Sequence, residues 1–259
     1  MPVVDDVIKI MNEYAPENSA EDWDNVGLMV GDFGNTVRGV LVSLDITDEV
    51  ISEAEERGAN LIITHHPLIF KPISKINSES AKGRRIMLLI KKGINVYSAH
   101  TNLDIAEGGT NDTLFSLLGL QDKETLVVNG VNIGRIGELP EMTIEDFAKK
   151  AEKAVEWNGK SPHIDIVKAS KTCRRISLCT GSAAGFDFLA ASKNAACDTY
   201  ITGDVSYHQA QFAKDNGVNL VVIPHFYSEI HIVKVICGYL SKHFQNISYT
   251  KTQTDIFTR

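Results

Sequence analysis

Apolar residues recur along this chain with two alternating periods. At Val4, Val7, Ile8, Met11 and Tyr14 the spacing is helical, and Pro16 ends that stretch. Val37 to Asp45 reads as a strand and Thr47 to Arg57 as a helix, with Thr47 as N-cap and Gly58 just past its end. Asn60 to Thr64 reads as the next strand, which completes a βαβ unit of parallel strands. A loop from Pro67 to Ser80, a basic helix from Lys82 to Lys92 stopped at Gly93, and a strand from Ile94 to Ala99 continue the alternation. Gly108-Gly109 breaks the chain before a helix at Thr110 to Leu118. This order predicts a parallel sheet in a three-layer α/β architecture.

Between about 121 and 180 the pattern changes. Val127 to Gly137 holds Asn129-Gly130, the signature of a tight hairpin turn. Thr143 to Trp157 is an amphipathic helix with Thr143 as N-cap, and His163 to Val167 and Arg174 to Cys179 are candidate strands. The α/β alternation then resumes. Helices are predicted at Phe186 to Asn194, Tyr207 to Asn216 and Tyr227 to His243, and strands at Thr199 to Asp204 and Asn219 to Ile223. Asn246 to Tyr249 offers one more edge strand. The expectation is two related α/β lobes with mainly parallel sheets and a β-rich central seam. The lobes are placed at 1–125 and 126–259, closely packed, with a site at their interface.

With 259 residues, 43% hydrophobic and 23% charged, the chain has ample material for such cores. A net charge of −7 argues against a non-specific nucleic-acid or membrane surface. No apolar run approaches the roughly 18 to 20 residues of a membrane span. Met1 to Asp6 is acidic where a signal peptide would be basic, so a cytoplasmic location is expected. Cys173, Cys179, Cys197 and Cys237 show no Cys-x-x-Cys spacing and read as buried free thiols.

The candidate chemistry gathers where apolar strands end. Leu61-Ile62-Ile63-Thr64 runs into His65-His66-Pro67, and the proline prevents simple continuation of the strand. At a strand's end the two imidazoles can both lean over the sheet's carboxyl edge, where open α/β sheets bind ligands. A second strand delivers His100 to Asp104 to the same edge, and a third leads through Pro224 to His225. His225 and Glu229 are four apart at a helix start and so face the same way. Three imidazoles and two carboxylates, His65, His66, His225, Asp104 and Glu229, suit a pair of borderline divalent ions: Zn, Fe, Mn or Co. His100 and His208 are acid–base candidates, or else partners that orient a ligand. Trp23 reads as core, with the acidic residues and Asn25 beside it as an alternative pocket lining. Gly181 to Gly185 reads as a tight turn or a phosphate cradle. Lys82, Arg84 and Arg85 read as a solvated helix face.

His65-His66-Pro67, Ser98-Ala99-His100-Thr101-Asn102-Leu103-Asp104, Trp23-Asp24-Asn25-Val26-Gly27-Leu28 and His225-x-x-x-Glu229 together resemble the family of GTP cyclohydrolase I type 2 homologues, also called Nif-three-like proteins. Gly203-Asp204-x-x-x-His208 matches a further family segment. The resemblance spans nearly the whole chain. It implies a dinuclear metal centre held by His65, His66, Asp104, His225 and Glu229, and a toroidal homohexamer, a trimer of dimers. It departs from many relatives at Pro224 and Ser228, and it lacks the long inserted domain of some. The expected function is a metal-dependent hydrolase acting on a nucleotide-like or phosphorylated small molecule through a metal-bridged hydroxide. A non-enzymatic metal-binding scaffold is the alternative.

Overall fold

The computed structural model describes residues 1–253 and 255–257. In chain order the elements are α1 (Val4–Tyr14), a 3₁₀ turn (Glu17–Ser19), β1 (Gly27–Val30), β2 (Val40–Ser43), α2 (Asp48–Glu56), β3 (Leu61–Thr64), α3 (Ala81–Lys92), β4 (Asn95–Ser98), α4 (Thr101–Ile105) and α5 (Thr110–Leu118). The hairpin β5 (Gln121–Val128) and β6 (Val131–Thr143) follows, then α6 (Ile144–Ala154), β7 (Asp165–Val167), β8 (Thr172–Leu178), α7 (Phe186–Asn194), β9 (Thr199–Thr202) and α8 (Tyr207–Asp215). Last come β10 (Asn219–Val222), α9 (His225–Glu229), α10 (Ile232–Leu240) and β11 (Ile247–Tyr249). None of these helices is long and apolar enough to cross a membrane.

The chain divides into two compact α/β units. One is Met1–Glu107 joined by the stretch from Ile232, and the other is Gly108–His231. The first unit therefore ends earlier than a boundary near 125, and it regains the chain's late segment. The physical reason is strand pairing: β11 adds to β2 in parallel, with Ile247 opposite Val40 and Tyr249 opposite Val42. Periodicity within a segment reports which face is apolar, but not which sheet will accept the segment.

The first unit's sheet has the order β1-β4-β3-β2-β11, parallel throughout except for β1. Every residue of β2, β3 and β4 is buried, as a strand covered on both faces requires. Leu41, Ile62 and Val96 pack with Val50, Ile51 and Ala54 of α2 and Ile86 and Leu89 of α3. Thr47 Oγ1 accepts the Val50 amide as N-cap, and Gly93 closes α3 in the left-handed conformation at φ +63°.

The second unit's sheet has the order β5-β6-β8-β9-β10-β7. β8, β9 and β10 are parallel, and antiparallel strands flank them on both sides. Asn129 and Gly130, both at positive φ, form the two-residue turn between β5 and β6. The single long helix expected from Tyr227 to His243 is two helices, α9 and α10, separated at Ile230-His231. That turn is where the chain passes from one unit to the other. The cysteines are free, with Cys173, Cys179 and Cys197 buried and Cys237 half-buried.

Candidate metal centre

In the first unit, β3 and β4 run parallel side by side and end at Thr64 and Ser98, whose hydroxyls lie 2.8 Å apart. The backbone still follows β2 for two more residues, since the His65 and His66 amides donate to the Ser43 and Leu44 carbonyls. Both imidazoles nevertheless reach the same region, with ring centres 5.0 Å apart. His100, just past β4, joins them, and its ring lies 5.1 Å from His65 and 5.9 Å from His66. One ring nitrogen from each of the three falls within 4.8 Å of the other two. The one-turn helix α4 begins at Thr101 and swings Asp104 back, so that its Oδ1 lies 3.6 Å from His65 Nε2.

Each of these imidazoles has its Nδ1 against an atom that can only accept. His65 Nδ1 lies 3.0 Å from the Ala99 carbonyl, His66 Nδ1 2.8 Å from Asp45 Oδ1, and His100 Nδ1 2.9 Å from Asp24 Oδ1. A carbonyl or carboxylate oxygen has no proton to give, so Nδ1 carries the hydrogen and donates it. In the neutral ring, Nε2 is then the lone-pair nitrogen and the available metal donor. The acceptors are fixed in turn. Asp45 accepts from the Gln253 amide at 2.7 Å. Asp24 also accepts from the Thr101 amide and hydroxyl. Burial disfavours charge on Asp24, but its hydrogen bonds to His100 and Thr101 outweigh that and hold its carboxyl well below the usual range.

The second unit repeats the arrangement at the end of β10. His225 opens α9 and Glu229 closes it, with His225 Nε2 3.1 Å from Glu229 Oε2. His225 Nδ1 lies 2.7 Å from Asp204 Oδ2, which follows β9. Burial works against a charged imidazole here, yet Asp204 and Glu229 outweigh it and push the His225 pKa up to about 11. The turn at Gly181-Ser182 is built around this pair. A Cβ on Gly181, which sits at φ +65°, would overlap the Glu229 carboxylate. A Cβ on Gly203 would lie 2.6 Å from the Gly181 carbonyl and 2.9 Å from His225 Cα. Both glycines therefore let backbone come close to the His225–Glu229 pair.

The five ligand candidates thus lie as a set of three in the first unit and a pair in the second. His100 sits within the histidine cluster, while His208 is exposed on α8 beside Tyr207 and is not part of the His225–Glu229 pair. Trp23, read as core, is 59% exposed. Its neighbour Asp24 takes the interior position by hydrogen bonding to His100 and Thr101, which turns the indole outward. Sequence reasoning assigned no orienting role to Asp24, Asp45, Asp204 or Gln253. Asp24 and Asp204 stood inside motifs, but Asp45 reaches His66 from 21 residues away and Gln253 reaches Asp45 from 208 residues away in sequence, and no spacing rule signals such partners. Nitrogen and oxygen donors presented in this way fit a borderline divalent ion.

The profile of the Duf34/NIF3 (NGG1p interacting factor 3) family matches residues 2–256. A Clostridium perfringens protein named GTP cyclohydrolase 1 type 2 homolog is 41% identical over 232 residues, covering 87% of this chain and 86% of the relative. A Helicobacter pylori protein named GTP cyclohydrolase 1 type 2 is 32% identical over 231 residues, 88% of each chain. Among solved structures, a Bacillus cereus protein related to NIF3 matches with a TM-score of 0.89 at 25% identity, covering 100% of this chain and 99% of that one.

Proposed function

The chain belongs to the Duf34/NIF3 family, and on that premise we propose that it binds about two divalent ions and acts as a metal-dependent hydrolase. In this reading the metal ligands are His65, His66, Asp104, His225 and Glu229. The observation that supports it best is shared by both units. His65, His66 and His225 each set Nδ1 against an acceptor oxygen, so that Nε2 is the nitrogen each ring would turn to a metal, that of His225 after giving up the proton it shares with Glu229. Four independent acceptor contacts of this kind, counting that of His100, serve orientation of donors better than they serve folding.

A divalent ion held by this set would supply Lewis-acid chemistry at a substrate oxygen and acidify water beside it. The protein's own contribution is positional. Asp45, Asp204 and the Ala99 carbonyl fix the ring planes, and Asp104 and Glu229 bring negative charge that offsets a dication. His100 is the proton carrier: its Nδ1 keeps its hydrogen and donates it to Asp24, so Nε2 is the atom that takes up or returns a proton. The names of the relatives point to a nucleotide-like substrate, GTP among them. We extend the reading to a toroidal homohexamer, which light scattering at micromolar concentration tests directly.

The hydrolase reading is tested with metal-loaded protein against a panel of nucleotides, phosphoesters and pterins, with His65→Ala as control. Turnover lost in His65→Ala supports it. Retained metal with no turnover across the panel leaves a metal-binding scaffold in its place.

A further inference from the structure

Trp23 is 59% exposed and Phe70 is 38% exposed, and their ring centres are 5.9 Å apart at 74°. Both stand beside the histidine cluster, with His100 6.4 Å from Trp23 and 6.1 Å from Phe70, again nearly perpendicular. Phe70 and His100 both meet the indole edge-to-face rather than stacked, and more than half of the Trp23 surface stays exposed beside them.

The exposed rings are held in place by their neighbours. Asp24 has a fully buried side chain that accepts from His100 Nδ1, the Thr101 amide and the Thr101 hydroxyl. Asn25 donates its side-chain amide to the Ile69 carbonyl, which ties the Trp23 loop to the loop carrying Phe70. A large aromatic residue on a mobile loop needs no explanation. An indole kept in water by anchored neighbours, next to a cluster of imidazoles, calls for a ligand surface.

We infer that Trp23 and Phe70 form the stacking wall of the substrate site and receive the planar base of a nucleotide. The inference rests on the reading under Proposed function and adds to it the part of the substrate that this chain recognises. Stacking on an aromatic face does not depend on the ring's hydrogen-bonding pattern, so Trp23 would supply affinity for the base while His100 sits at its edge. The phosphates need no contact with either ring.

The test measures binding of guanosine, GTP and inorganic triphosphate by calorimetry, on metal-free and on manganese-loaded full-length protein. Trp23 emission is followed in a Trp157→Phe background, Trp157 being buried and remote in sequence. Guanosine and GTP should bind and quench that emission. Trp23→Ala should weaken GTP binding about tenfold or more, and Trp23→Phe should restore most of it. Triphosphate binding should be the same in all three proteins. GTP binding within about twofold of the parent in Trp23→Ala overturns the inference, as does an equal loss for triphosphate, or a parent that binds neither guanosine nor GTP. Metal content is read on the same samples. Stacking without metal retention defeats the metal reading alone, and metal retention with Trp23-independent binding defeats this inference alone.

Discussion

A histidine ring offers two nitrogens, and which one meets a ligand is decided by what the other one touches. Asp204 makes that decision for His225, and with Glu229 it also holds a proton on the ring. In metal-free protein the His225 pKa is raised from 6.5 to about 11, so its contribution to stability is complete below pH 6.5 and is lost as pH climbs through about 11. Metal binding requires the neutral ring and releases that proton, so apparent metal affinity should rise with pH across the neutral range. Asp204→Asn removes one carboxylate, flattens this pH dependence and lowers metal affinity by about 10- to 100-fold. Metal titrations at several pH values check both effects. Glu229 has a second claim at this scale. A carboxylate can contact two ions at once, whereas Glu229→Gln offers one acceptor oxygen and an NH₂ that a cation repels. Glu229→Gln should therefore cost more metal affinity than His66→Ala, with both variants folded by circular dichroism. Near-native binding of about two ions by Glu229→Gln would remove its bridging role.

At the scale of elements, the late strand β11 pairs with β2, and one residue of α2 holds the segment that follows it. Glu53 is buried and accepts from the Thr250 and Thr252 hydroxyls and from the Lys251 and Thr252 amides. Burial disfavours the Glu53 charge, but these hydrogen bonds outweigh it and its pKa is lowered. Its contribution is thus present above the ordinary value of 4.5 and is lost as pH falls below it. Glu53→Ala should cost about 2–3 kcal/mol in thermal unfolding, with early exchange of the β11 amides. The clasp also shows where sequence patterns stop. α1, α5 and α7 were legible to the residue, the first two because apolar spacing with Pro16 and the Gly108-Gly109 break mark them locally. The β5–β6 turn was legible because Asn129-Gly130 tolerates positive φ. α4 was not, since five residues make too little periodicity to read. Nor was the break at Ile230-His231, because the apolar run continues across it.

At the scale of the molecule, two α/β units were legible as alternating apolar strands and helices, and the candidate ligands were sought where those strands run into histidine. The motifs around those residues also identified the family that the whole-chain match bears out. The orienting residues were hidden for a physical reason. Gln253 and Asp45 meet 208 positions apart, and only the folded chain brings them together behind His66. The outward turn of Trp23 was hidden in the same way, because it follows from the bonds of Asp24 to His100 and Thr101. The central claim, that these oriented imidazoles and carboxylates exist to hold metal, is open to one direct measurement. Elemental analysis of the full-length protein, purified without chelator and then dialysed against excess divalent ion, should return about two ions per chain. Substantially less than one ion per chain after such loading would contradict the account.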